Sequence, residues 1–435
     1  MFAFILAICL IVFVVLIAIK SKSPYLIAYL AVLSAVFSRL LVSWELIPGI
    51  MNFLHFPLVI LATIFAVLIP HSNFKLLTNR LLTLVSILGI LILVSWIFHP
   101  TEFIKPILLW LLFVEPFLII YVIVKTLPKS KIQNFYNLAL FLCYVQIPFA
   151  YLQSATLGLG DVVEGTFVGH GAGAHILGAI IMMGIIILFS EFISQKKVSN
   201  LLKIFLLFPI PILSDAKQVF IAAILAFLFL FFKYTKLNLY IIFSGSLIII
   251  AIYFAIYLYP PLNFVLNLDF LNRVLSGKLL SFLIILQNMG KNYLDFLIGL
   301  GPGQSVSRIA LAAQEGYIRS LSANFLKLNL SSTTEEIVSL TFNNPILISS
   351  VWSGVSSWIG LFGDLGFFGV VVYGLILLIL WQRLKQIYSP IGYSGRAILI
   401  MGILLGLTFS WLETPEFTLP WALYLSIGLF RGIRS

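Results

Sequence analysis

Gly299, Gly301, Pro302 and Gly303 crowd into five positions of "FLIGLGPGQSVSR", and Arg308 follows five residues on. Glycine tolerates positive φ and proline fixes its own, so this segment reads as a tight turn. Successive N–H groups in such a turn can converge on an anion, and a nearby cation strengthens the site. A plain chain reversal is the competing reading. Few other residues could do chemistry. Asp215 and Lys217 interrupt an apolar stretch in "PIPILSDAKQ" and suit either work on a phosphate or a surface ion pair. Asp364 lies in "GLFGDLGFFG", and Glu115 stands beside Pro116 in a long apolar run with no obvious partner. An ionisable group in such a run marks a function or a buried pair. His170 and His175 flank "GAGA", either as packed histidines or as a base.

Several chemistries are disfavoured. The five histidines and two cysteines show no partners at ligand spacing, so no metal is expected, and Cys9 and Cys143 imply no disulfide framework. There is no Walker loop and no G-x-S-x-G elbow, which leaves ATP hydrolysis and serine-esterase chemistry without support.

The elements that must position these residues are membrane helices. The 435 residues are 61% hydrophobic and 9% charged, with mean hydropathy +1.13. Apolar runs of about 17–25 residues recur from end to end, each long enough to cross a bilayer. They are continuous rather than alternating, which excludes a β-barrel. The first run lacks a basic flank and a small-residue cleavage site, so a retained helix is expected rather than a signal peptide.

Thirteen spans are expected, from 2–19 to 417–430, with a hairpin of two short helices at 201–213 and 217–232 and a further span at 238–259. Residues 1–259 then form a bundle of about ten helices, 260–353 one long external loop, and 354–435 the last three spans. Seventeen of the 26 Lys and Arg fall on one side. The positive-inside rule makes that side cytoplasmic, with the N-terminus and the long loop outside and the C-terminus inside. The net charge of +11 is therefore mostly topological, and no nucleic-acid partner is expected. Within the loop, "RVLSGKLLSFLIILQNMGKNYLDFLIGLG" reads as an amphipathic helix at the interface.

Four segments in order resemble the bacterial O-antigen polymerase (Wzy) and O-antigen ligase (WaaL) superfamily: "GTFVGHGAGAHILGAII", "LSDAKQVFIAAILAFLFLF", the long stretch from Arg273 to "GLGPGQ", and "SSWIGLFGDLGFFGVVVYGLILLIL". The resemblance covers roughly residues 160 to 380. Ala216 and Lys217 stand where the family usually has serine and arginine. Val355 and Ser356 stand where the ligases have His-Asn, which places the chain nearer the polymerase.

The resemblance implies a GT-C-like, cofactor-free and metal-independent glycosyltransferase in the bacterial inner membrane. It would transfer undecaprenyl-diphosphate-linked glycan to a lipid-linked repeat unit at the outer face, with a chain-length regulator as partner. Arg273, Lys217 and Arg308 are the expected diphosphate contacts. Asp215, Asp364 and His170 are unranked candidate bases. The glycine turn would shape a loop folded over the site. A ligase acting on lipid A-core, a lipid-linked oligosaccharide flippase and a non-catalytic assembly subunit remain the alternatives.

Overall fold

The computed structural model describes residues 2–70, 74–169, 172–195, 197–234, 268–290, 292–312, 328–342 and 355–431, and the expected span 238–259 lies outside them. Among the described residues every regular element is a helix. Seven segments are long and apolar enough to span a membrane: Pro24–Ser43, Gly49–Leu68, Lys75–Phe98, Ile104–Thr126, Lys129–Leu157, Gly173–Phe192 and Ser357–Lys385. Shorter apolar helices add to them, so the chain is a polytopic membrane protein.

The first half contains α1 (Phe2–Lys20), α2 (Pro24–Ser43), α3 (His55–Leu68), α4 (Lys75–Phe98), α5 (Ile104–Thr126), α6 (Ile132–Tyr144), α7 (Gln146–Leu157) and α8 (Gly173–Gln195). α1 is peripheral, with Phe13 and Leu16 turned outward. α5 is apolar all round, and from Leu111 to Val124 every residue is buried. Such a helix belongs at the centre of a bundle. The expected span 133–152 is divided between α6 and α7 at Val145. Pro148 explains the break, since it lacks an N–H and its ring crowds the carbonyl of Tyr144, four residues back.

The hairpin is α9 (Val198–Leu207), α10 (Pro209–Leu213) and α11 (Lys217–Tyr234). Asp215 adopts φ 51° at the reversal. Phe220 then packs back on Phe208 at 5.9 Å, and Phe227 reaches Phe189 of α8 at 5.8 Å. α11 therefore runs alongside α8, opposite to α9.

The long loop contributes α12 (Leu268–Met289), α13 (Tyr293–Ile298), α14 (Arg308–Ala312) and α15 (Ser332–Phe342). The amphipathic stretch is two helices rather than one, parted after Gly290, with the Asn292 side chain capping α13 through Leu294 N–H at 3.1 Å. α12 buries Ile284, Ile285 and Met289 in a small core with Val306 and Ile337. Its Leu279 and Leu283 face outward.

The chain then enters α16 (Ser357–Lys385), α17 (Pro390–Thr408) and α18 (Pro415–Arg431). α18 is the second central helix, with Trp421, Tyr424 and Phe430 fully buried. Phe117 of α5 meets Tyr373 of α16 at 5.2 Å and Trp421 of α18 at 6.4 Å. Lipid tails are as apolar as leucine, so close packing rather than water exclusion holds these helices together.

Candidate functional site

The glycine turn lies in a groove on α16. Gly360, Gly363 and Gly366 stand one turn apart, and the chain from Leu297 to Ser307 runs against them. A Cβ on Gly366 would overlap the backbone of Leu297 and Gly299, and one on Gly299 would overlap Asp364. Gly366 leaves the helical region at φ 63°, so α16 kinks where the turn crosses it. Leu300 N–H bonds to Gly363 O at 2.8 Å.

At this crossing the nest holds an anion from the chain itself. The Asp364 carboxylate accepts N–H bonds from Gly303 at 2.9 Å, Gln304 at 3.1 Å and Ser305 at 3.0 Å. The Ser305 hydroxyl adds a fourth at 2.6 Å. Asp364 is fully buried. Four donors of the turn thus converge on one carboxylate, which fastens the loop to α16.

Beyond the turn, Arg308 N–H donates to Glu413 Oε2 at 2.6 Å and its guanidinium to Thr414 Oγ1 at 2.8 Å. Glu413 lies between α17 and α18, fully buried. Burial pushes its carboxyl well above the usual range, and the Arg308 N–H pulls only partly back. Two residues past Thr414, Glu416 pairs with Arg39 at 2.6 Å. Arg39 in turn lies within electrostatic reach of Glu164. Lys278 donates to Val355 O at 2.8 Å and Thr408 O at 2.7 Å. Burial lowers it to about 7. Deeper still, His55 Nδ1 meets Glu115 Oε1 at 2.6 Å with both side chains buried, which gives Glu115 the partner its sequence context did not show.

No protein-family model and no curated protein matches the chain.

The hairpin reversal carries the exposed part of the site. Lys217 pairs with Asp215 Oδ2 at 2.7 Å, both about a fifth to a quarter exposed. Asp215 Oδ1 has no hydrogen-bond partner. His175 approaches Asp161 at 3.8 Å and feels the charges of Asp215 and Lys217. Gly160 N–H bonds to Leu213 O at 2.8 Å, which holds the 158–169 loop against the hairpin.

A belt of charged groups thus runs across one end of the bundle, from Arg308 through Glu413, Glu416, Arg39, Glu164 and Asp161 to His175 and the Asp215–Lys217 pair. His170 lies outside the described residues, and Arg273 is placed only as a backbone position on α12. Glu413 and Glu416, like Asp161 and Glu164, are members that the sequence did not single out. Two acids three apart in "WLETPEF", inside an apolar C-terminal region, were the available signal.

Proposed function

We propose that the chain is a glycosyltransferase of the O-antigen polymerase kind. It moves glycan from undecaprenyl diphosphate to a lipid-linked repeat unit at the outer face of the cytoplasmic membrane, within a thirteen-span, GT-C-like bundle. The observation that carries this reading is how the four segments of the resemblance pair. The first meets the second where Gly178 packs against Ala216 and His175 feels the charges of Asp215 and Lys217, and the third meets the fourth at Asp364. The charged belt joins the two pairs.

The donor is already activated as a diphosphate ester, so no nucleotide is needed on that face. Lys217, a quarter exposed at the rim, meets the diphosphate and stabilises charge developing on the leaving group, with Arg273 as the second contact the resemblance implies. Arg308 is buried with its guanidinium on Thr414 and supports the belt from within. Asp215 is the best-placed base. Its Oδ1 is buried, so the oxygen an acceptor hydroxyl would meet is Oδ2, on the partly exposed side of the carboxylate and held by Lys217. Asp364 fixes the loop and stays out of the proton transfer. Transport is the second reading, favoured by the buried His55–Glu115 pair, since carriers place such groups at membrane depth.

The test is reconstitution with a cognate undecaprenyl-diphosphate-linked repeat unit, with and without lipid A-core. A ladder of lengthening products, lost in Lys217→Ala and Asp215→Asn, is the expected result. One transfer to lipid A-core would identify a ligase, and translocation with no new glycosidic bond a flippase.

A further inference from the structure

A polar recess lies at the end of the bundle opposite the charged belt, where α6 begins, α8 ends and α9 starts. It encloses about 420 Å³, within the range of small-molecule sites. Its walls follow from helical spacing. Gln133, Asn137 and Tyr144 stand at i, i+4 and i+11 on one face of α6, and Glu191 and Gln195 at i and i+4 on α8. Asn200 of α9 donates to Glu191 Oε2 at 3.4 Å, and both are buried on the floor. Tyr144 Oη reaches the recess buried and without a hydrogen-bond partner.

The rim is cationic. Lys197 and Lys203 line it, and neither forms an ion pair among the described residues. Polar groups are costly to bury without partners, so a recess this polar between apolar helices calls for a polar occupant. The lysines suit a phosphate, while the floor carboxylate, amides and phenol suit hydroxyls. Just beyond the rim, Leu202, Phe205 and Leu206 of α9 turn outward, 64%, 77% and 53% exposed. That apolar strip would lie along acyl chains.

We propose that this recess binds a phosphate ester whose headgroup carries hydroxyls, the phosphate between Lys197 and Lys203 and the hydroxyls toward Glu191, Asn200 and Tyr144. A polyol phospholipid and a soluble polyol phosphate share this chemistry. The proposal is independent of the glycan-transfer reading, because it uses the other end of the molecule.

The test is native mass spectrometry of the delipidated full-length chain with added phosphatidylglycerol, with phosphatidylethanolamine, and with glycerol 3-phosphate. Lys197→Gln/Lys203→Gln is compared with Lys75→Gln/Lys385→Gln, which alters lysines away from the recess, and melting temperatures confirm that both variants fold. The expected result is one retained phosphatidylglycerol preferred over phosphatidylethanolamine, with a roughly 10- to 30-fold loss in the recess variant alone, from about two lysine contacts. Binding of glycerol 3-phosphate with the same loss would support the site and identify a soluble ligand. No preference for either phosphate ester, or equal retention by both variants, would overturn it.

Discussion

The hydroxyl of Ser305 and the carboxylate of Asp364 meet at 2.6 Å across 59 residues of chain. Around that bond the N–H groups of residues 303–305 close on the same carboxylate, and the loop is fastened to α16.

Asp364→Ala should release the turn. Each charge-assisted bond is worth about 1.5–3 kcal/mol, and removing the acceptor leaves buried donors unsatisfied. Even one such bond implies amide exchange at 303–305 faster by roughly 10- to 100-fold. Hydrogen exchange in detergent reads this directly. Asp364→Asn keeps one acceptor oxygen and should fall between.

Glycine substitutions on α16 should divide by position. Gly366→Ala forces a Cβ into the backbone of the crossing loop at φ 63° and should lower the melting temperature sharply. Gly374 has open space around it. Gly374→Ala should be neutral or stabilising, by up to about 1 kcal/mol from helix propensity. Equal effects would mean that the loop does not lie on α16.

Stability should rise with pH through the titration of Lys278. Burial lowers this amine from 10.5 to about 7 in the folded chain. Between those values the unfolded chain binds more protons, so the folded state gains as pH increases, and below about 7 the gain is absent. Melting temperatures from pH 7 to 10 should climb in the wild type and flatten in Lys278→Met.

Two ion pairs of the charged belt, one buried and one partly exposed, should behave differently. Arg39→Ala removes the cation paired with buried Glu416 and should cost about 3–5 kcal/mol, seen as loss of folded protein. Lys217→Ala breaks a partly exposed pair worth no more than about 1 kcal/mol. Its melting temperature should hold, while product formation falls more than tenfold under the proposed chemistry.

Membrane embedding and the polar punctuation of the chain are local properties, and they are legible in the sequence. A run of some twenty apolar residues has few other destinations, and Pro209, Pro211 and the charged pair after them announce the hairpin. The glycines from 299 to 303 likewise declare a tight turn, because few other residues accept positive φ. What the turn holds is a different kind of fact. The sequence offers an anion-binding nest strengthened by a nearby cation, or a plain chain reversal, and only packing seats α16 under the turn so that Asp364 fills the nest. The partners of Glu115 and Arg39 were hidden for the same reason: His55 lies 60 residues from Glu115, and Glu416 lies 377 from Arg39. A buried charge reveals in sequence that it needs a partner. Which one it takes is decided when the helices pack, because electrostatic pairing depends on distance through space and not along the chain.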